Sequence, residues 1–415
     1  MTGKSRRPGS AKRASDAADT RPKSKGMAVE EAEPLMGRGG PEKRAGSMKR
    51  SANSAAAKTT ERSAPGTEPA EARAKKVKPT HSTVGKKDVA LPQRPKPQYE
   101  ASGGAYYFGD SLELLSSDSF AALKGKVQLV VTSPPYPLNE KKSYGNLTGA
   151  KYLAWIESLA PVLSELLADD GSIVIELGNS WEKDRPVQSL LSMEALLAFT
   201  KAKGANLRLI QQFVCYNPSR LPSPAQWVTV NPLRTVDSFT HVWWLAKSDY
   251  PKADNSKVLR PYSPSMKALL KRGSYNAGLR PSEHRISTGS FLKDRGGSIS
   301  HNLFELEQMQ EGREPRLPNA FSLSNSASAD FFHRACKEKG ITPHPARMPL
   351  GLASFFIEFL TDEGDLVLDP FGGSNTTGFA AAMAGRQWIA VDASKQYVEQ
   401  SKLRFEDPTL KGGKK

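Results

Sequence analysis

Cysteine is almost missing from this 415-residue chain, which has only Cys215 and Cys336. Two thiols cannot build a disulfide framework or a cysteine-rich zinc site, so a reducing compartment is expected. Nor is there an apolar run long enough to span a bilayer or to act as a secretory leader. A soluble, cytoplasmic protein without a membrane is therefore expected. Large apolar side chains are scarce in the first ~95 residues, which are mostly Ala, Ser, Lys, Pro and Gly. Such a segment cannot bury enough surface to offset its ordering entropy, and it is expected to be disordered. Acidic residues are also outnumbered, 43 Asp and Glu against 59 Lys and Arg, for a net charge of +16. The excess is uneven. Residues 1–100 carry +12, residues 101–200 carry −5, residues 201–300 carry +11 and residues 301–410 carry −5. The +11 stretch is thus where a polyanion would meet the folded part.

What is present from Tyr106 onward is an alternation of strands and helices. Tyr106-Tyr107-Phe108 runs into Gly109-Asp110 as a strand would end, and Val127 to Val131 is a short β-branched run of the buried parallel kind. A helical stripe follows at Leu153, Ile156, Leu159, Leu163 and Leu166, which Pro161 should kink or restart. Asp170-Gly171 should close it. Further strands are expected at 173–175, 207–215, 240–247, 366–368 and 388–391, with helices over 352–360 and 379–384. The pattern predicts a parallel α/β sheet covered by helices on both faces. Residues 250–330 break it, being rich in Pro, Ser, Gly, Lys and Arg without a sustained period. The expected organisation is a tail over 1–97, a catalytic half over 98–250, a recognition segment over 251–340, a cofactor half over 341–408 and a basic end over 409–415.

Two constellations carry chemistry. The first runs Leu366-Val367-Leu368-Asp369-Pro370-Phe371-Gly372-Gly373-Ser374-Asn375-Thr376-Thr377, a strand, a glycine turn and a helix start, with a second strand ending in Asp392. Glycines let backbone approach a ligand, and an acid closing the next strand can accept both hydroxyls of a ribose. An adenosine-bearing cofactor fits, whereas a Walker nucleotide loop is excluded because no Gly-Lys-Thr or Gly-Lys-Ser follows the strand. The second is Thr132-Ser133-Pro134-Pro135-Tyr136, directly after the apolar strand. Two prolines make a rigid extended loop at the strand's carboxyl end, where α/β proteins bind ligands.

Together these motifs resemble the amino-group DNA methyltransferases that use S-adenosylmethionine, in the permuted order where the catalytic loop precedes the cofactor loop. The likeness is nearest to the PvuII-type cytosine-N4 enzymes. Asn217-Pro218-Ser219, Val242-Trp243-Trp244 and His344-Pro345-Ala346-Arg347 share it, as does Lys141-Lys142 before Tyr144-Gly145-Asn146, so that it runs from about Tyr106 to Phe405. The resemblance implies a Rossmann-like methyltransferase sheet with a loop-rich basic DNA-recognition insert and a disordered N-terminal tail. It implies that Phe371, Gly372, Gly373 and Ser374 cradle the methionine part of the cofactor and that Asp392 takes the ribose. Asp110 would reach the adenine, with His344, Arg347, Asp369, Thr376 and Thr377 bordering the site. The usual last glycine of the cofactor loop is Asn375, a residue that tolerates the left-handed conformation.

In the same reading Ser133 and the Pro134 carbonyl hold an exocyclic base amine, Pro135 stiffens the loop, Tyr136 stacks on the flipped base, and Glu176 orients Ser133. Double-stranded DNA is the implied partner, met by Lys141, Lys142, Arg220, Arg260, Lys271, Arg272, Arg280, Arg285, Lys293 and Arg295. A cognate restriction endonuclease and a nucleoid location are further expectations. Neither Cys215 nor Cys336 follows a proline, which argues against cytosine-C5 chemistry. Serine at 133 favours cytosine-N4 over adenine-N6, where Asp or Asn is usual. A non-catalytic DNA-binding protein on this fold is the remaining alternative.

Overall fold

The computed structural model describes residues 96–137, 147–306, 320–323, 331–345 and 347–411. The described residues all belong to the unit His81–Lys415. The tail expected to be disordered, and Lys141 and Lys142, lie outside them.

In chain order the strands are β1 (Tyr99–Ala101), β2 (Gly104–Phe108), β3 (Val127–Thr132), β4 (Leu167–Gly178), β5 (Arg208–Tyr216) and β6 (Phe239–Ala246), then β7 (Gly278–Leu279), β8 (Arg285–Ile286), β9 (Leu303–Leu306), β10 (Phe321–Leu323), β11 (Leu366–Asp369) and β12 (Gln387–Asp392). The helices are α1 (Ser111–Leu115), α2 (Gly149–Leu166), α3 (Leu191–Lys201), α4 (Pro264–Arg272), α5 (Phe331–Glu338), α6 (Leu350–Leu360), α7 (Thr376–Met383) and α8 (Lys395–Ser401). Among the described residues, ten strands form one sheet in the order β1-β2-β12-β11-β3-β4-β6-β5-β9-β10.

The sheet is mixed rather than parallel throughout. Strands β2, β12, β11, β3 and β4 run parallel, but β6 lies antiparallel to both β4 and β5. The reversal puts the carboxyl ends of β2, β12, β11, β3, β4 and β5 and the amino end of β6 on one edge, where the loops after β3 and β11 both emerge.

The two faces follow from alternation along the strands. Ile173, Ile175 and Leu177 of β4 point with Trp243 of β6 into a core covered by α2 and α3. Val174, Val242 and Trp244 point the other way, into a core with α6 and α7 residues such as Phe356 and Ala381. Trp243 and Trp244 are therefore buried, and the Trp244 indole donates to Ser172 Oγ at 2.9 Å.

Two local expectations need correction. α2 runs on through Pro161 as one helix and does not restart there; the carbonyl deprived of a partner belongs to Glu157, an exposed residue at which water can bond it. Asp170-Gly171 does not end that helix, because α2 stops at Leu166 and both residues lie inside β4. Within the stretch expected as the recognition segment, 251–340, β9 pairs with β5 and β10 with β9, so part of it belongs to the central sheet. Phe304 of β9 lies face to face with Phe213 of β5, ring centroids 5.4 Å apart, and this stacking explains why so short a strand holds.

Candidate active site

At the shared edge lies a cavity of about 1070 Å³, lined by both constellations. The catalytic loop supplies Ser133, Pro134, Pro135 and Tyr136, and the cofactor loop supplies Phe371, Gly372, Gly373, Ser374, Thr376 and Thr377. Asp110, Glu176, His344, Arg347, Asp369 and Asp392 complete the wall, together with Arg220, Thr240 and Cys215.

Asp369 is the joint between the two loops. Thr132 donates to its Oδ1 at 2.7 Å, the Phe371 amide donates to the same oxygen at 3.0 Å, and Thr377 donates to Oδ2 at 2.7 Å. One buried carboxylate thereby fixes the end of β3, the turn after β11 and the first residues of α7. Burial pushes its pKa up to about 6, and the hydrogen bonds hold it from rising further.

The turn itself is braced from below. Tyr106 donates to the Gly373 carbonyl at 3.0 Å, the Gly372 amide donates to Val391 at 2.9 Å, and Ser111 bonds the Pro370 carbonyl. A side chain at position 372 would lie 2.6 Å from the Tyr106 hydroxyl, so only glycine fits there. Arg404 donates to the Ser374 carbonyl and hydroxyl at 2.9 and 3.3 Å, directing that residue inward. Asn375 takes the left-handed conformation (φ 57°, ψ 43°) expected of it and, in addition, caps α7 by accepting from the Gly378 amide at 3.1 Å.

Asp392 closes β12. Its Oδ2 accepts from the Gly373 amide at 2.8 Å and its Oδ1 from the Ser394 amide at 2.8 Å, while burial holds its pKa above the ordinary carboxylate value. Each oxygen keeps a lone pair for a ligand hydroxyl. Asp110 caps α1, its Oδ1 accepting from Leu112 and Glu113 at 2.9 and 3.0 Å. The His344 ring meets Tyr397 edge to face at 4.2 Å and lies 3.4 Å from where a Cβ on Gly373 would be.

On the catalytic side, Ser133 stands close enough to Glu176 and Tyr136 for its hydroxyl to draw the pKa of each downward. Glu176 is buried, accepts from Thr240 at 3.0 Å, and has its pKa raised by that burial against the opposing pull of Thr240, Arg220 and Ser133. The sheet register explains the cluster. Glu176 faces Val242, Gly178 faces Thr240, and Thr240 faces Cys215, so Glu176, Thr240 and Cys215 share one face at adjacent strand ends. The Tyr136 ring rests on Gly178, where a Cβ would come within 2.5 Å of it. Its hydroxyl is pushed well above its ordinary pKa, first by burial and then by Glu176. Cys215 has its thiol pushed up by the same burial and the same carboxylate, and it is inert as a nucleophile.

The basic residues divide. Lys271, Arg272, Arg285, Lys293 and Arg295 are exposed, and Arg280 is half-buried with its guanidinium 5.6 Å from the Tyr275 ring. Arg260 is turned inward instead, donating to the Ala320 carbonyl at 3.1 Å while its backbone bridges Ser298. Arg220 stands in the cavity rather than on the surface. Sequence reasoning also missed Trp155, whose ring lies 5.4 Å from that of Phe371, and Thr240 and Gly178, which hold Glu176 and Tyr136. Only the pairing of β6 against β4 brings these last residues to the site.

Similarity to known proteins agrees with this geometry. A family model described as DNA methylase matches residues 127–403. The type II methyltransferase M.PvuII of Proteus hauseri is 41% identical over 317 residues, covering 76% of this chain and 87% of that protein. The orphan methyltransferase M.BamHII of Bacillus amyloliquefaciens is 41% identical over 283 residues, 68% of this chain and 89% of that one. A solved structure described as the cytosine-N4-specific PvuII DNA methyltransferase superposes with a TM-score of 0.57 at 34% identity, covering 77% of this chain and 96% of the other. With a family match over most of the folded part and both loops converging on one cavity, the chain belongs to the DNA methylase family.

Proposed function

We propose that this methylase transfers a methyl group from S-adenosylmethionine to the N4 amine of a cytosine flipped out of double-stranded DNA. The observation that carries the reading is the single cavity in which Ser133, Pro134 and Tyr136 face the cofactor loop across Asp369. Its volume suits a cofactor and a base together, being at the upper end of ordinary ligand sites.

The residues present fit the cofactor. Asp392 retains an acceptor on each oxygen for a vicinal diol, Gly373 and Ser374 bring backbone and hydroxyl to the cavity, and Trp155 with Phe371 forms an apolar wall. Asp369 has its oxygens engaged by the protein and acts as a positioning residue. When bound, the cofactor supplies an electrophilic methyl on a sulfonium.

The chain's own contribution is to prepare the amine. An exocyclic amine is a poor nucleophile because its lone pair is delocalised into the ring. Hydrogen bonds from the amine to Ser133 Oγ and the Pro134 carbonyl favour a tetrahedral nitrogen with its lone pair free for in-line attack. Glu176 accepts the Ser133 hydrogen, which leaves the Ser133 oxygen to accept from the amine, and it is placed to take up the proton released after transfer. Tyr136, backed by Gly178, offers its partly exposed face to the base. Lys271, Arg272, Arg285, Lys293 and Arg295 supply phosphate contacts. A cognate endonuclease sharing the site, and residence at the nucleoid, belong to the same proposal.

The test is transfer of labelled methyl from S-adenosylmethionine to duplex DNA, followed by digestion to nucleosides and sequencing of the modified positions. N4-methylcytosine is the expected product. N6-methyladenine as the product, or no transfer at all, overturns the proposal.

A further inference from the structure

One charged group in the cavity has no task in the chemistry above. Arg220 ends the segment Asn217-Pro218-Ser219-Arg220, a turn leaving β5 that is closed by the Ser219 amide on Asn217 Oδ1 at 3.0 Å and by the Arg220 amide on the Asn217 carbonyl at 3.2 Å. The turn carries the half-buried guanidinium back over the mouth of β6, where Nη1 donates to the Phe239 carbonyl at 2.9 Å. Its charge is close enough to favour ionisation of both Glu176 and Tyr136, so it stands beside the two groups that flank Ser133. Among the described residues that one carbonyl is the acceptor recorded for its side chain, which has five N–H donors in a fixed fork. Donors therefore remain for a ligand inside the cavity that Arg220 lines.

The base that enters has a fixed order of groups along its pairing edge. Once Ser133 and Pro134 hold the amine, a ring nitrogen acceptor comes next, and one ring-width away comes the group that distinguishes the two amino bases. In cytosine it is the O2 carbonyl, an acceptor; in adenine it is C2–H, which accepts nothing. We infer that Arg220 selects cytosine over adenine by donating to O2 of the flipped base, with its fork held in place by the Phe239 carbonyl. An adenine at the same place would leave desolvated guanidinium donors facing a C–H group, and sites built on a buried polar contact reject partners that lack it far more strongly than apolar pockets do. This rests on the cytosine-N4 reading and deepens it, since it names a contact to the part of the base where cytosine and adenine differ.

The experiment uses the full chain and two duplexes that differ only in carrying cytosine or adenine at the methylated position, under single turnover with enzyme in excess. Wild type is expected to methylate the cytosine duplex at least ~10²-fold faster. Arg220→Met is expected to lower the cytosine rate about as much while leaving the adenine rate undiminished, so the ratio collapses, with S-adenosylmethionine affinity within about threefold of wild type. Arg220→Lys keeps a cation beside Glu176 but loses the fork, and it should lower the ratio without restoring the wild-type value. Equal loss on both duplexes would overturn the inference, because it would make Arg220 only a counter-charge for Glu176. Unchanged turnover with weaker DNA binding and a shallower salt dependence would overturn it too, as the mark of a phosphate contact. If the methionine variant fails to bind cofactor, the lysine variant decides alone, and an unchanged ratio counts against the inference. Wild type that methylates adenine and not cytosine removes the cytosine reading before any variant is made.

Discussion

At the scale of residues, the cavity holds three carboxylates, Glu176 and Asp369 buried and Asp392 half-buried, whose pKa values all move upward chiefly through desolvation and whose partners differ. In the proposed reading Glu176 takes the hydrogen of the nearby Ser133 hydroxyl, so Ser133→Ala and Glu176→Gln should each lower turnover by roughly 10²-fold while leaving cofactor affinity nearly unchanged. Glu176 accepts from Ser133 best when ionised, and burial raises its pKa. Turnover should therefore climb with pH along a limb lying above the ordinary carboxylate range, and the Gln variant should lack that limb. A pH profile of single-turnover rates checks both statements, and a limb that survives in Glu176→Gln would reassign it.

Asp369 makes a prediction about stability. Its folded-state pKa is about 6 against an ordinary 3.8, so the native state binds its proton more tightly than the unfolded state does. Stability from this group therefore falls as pH rises from 3.8 to about 6 and is level above that. Across that window the urea midpoint of wild type should fall relative to that of Asp369→Asn as pH rises; parallel profiles would contradict the assignment.

At the scale of elements, α7 shows how a departure from a familiar loop is accommodated. A left-handed residue is needed before Thr376, and Asn375 serves while also capping the helix and donating to the Tyr99 hydroxyl at 3.0 Å. Asn375→Ala should cost about 2 kcal/mol, one part from the lost cap and one from a Cβ in the left-handed region. Asn375→Gly should cost less than half as much, because glycine relieves the backbone while giving up the cap. Chemical denaturation of the two variants measures the order, and a larger loss for glycine would refute it. The elements themselves were largely legible in sequence, since β3, β5, β6, β11 and β12 are the apolar or β-branched runs that periodicity picks out. The boundaries of α2 and β4 were not. Asp170-Gly171 has the composition of a turn, and within β4 it falls in the register shift between Leu167, paired with Val127, and Ser172, paired with Leu129 and Ala246.

At the scale of the whole molecule, the +11 of residues 201–300 is not a uniform basic face. Lys252 bonds Asp362 and Asp365 at 2.9 and 2.7 Å, and Lys257 bonds Asp362 at 2.6 Å, tying this segment to the loop after α6. Arg208 pairs with Asp249. Lys271, Arg272, Arg285, Lys293 and Arg295 remain exposed, and in the proposed reading they are the ones that meet DNA. Replacing Lys271 and Arg272 by Ala should flatten the salt dependence of DNA binding, each by a log–log slope of about 0.9, whereas replacing Lys252 and Lys257 should leave the slope unchanged. Binding isotherms at several salt concentrations separate the two pairs, and equal effects would sink the division.

The sequence by itself determined where the two loops begin and how they are built. Ser133 to Tyr136 and Asp369 to Thr377 are contiguous runs whose shape follows from local backbone constraints, proline stiffness and glycine freedom, so one strand and its loop suffice to find them. Asp392 was legible for the same reason, as the end of a strand one crossover away. Only the tertiary structure decided how these runs meet. Asp369 serves as a joint because β11 lies next to β3, and Glu176 reaches Ser133 because β4 lies on the other side of β3. Arg220 left the class of surface cations because the antiparallel placement of β6 brings the turn after β5 to the cavity, 44 positions along the chain from Glu176. Charge and spacing record what a side chain is, but the dielectric around it and the partner across from it are set by strands distant in sequence.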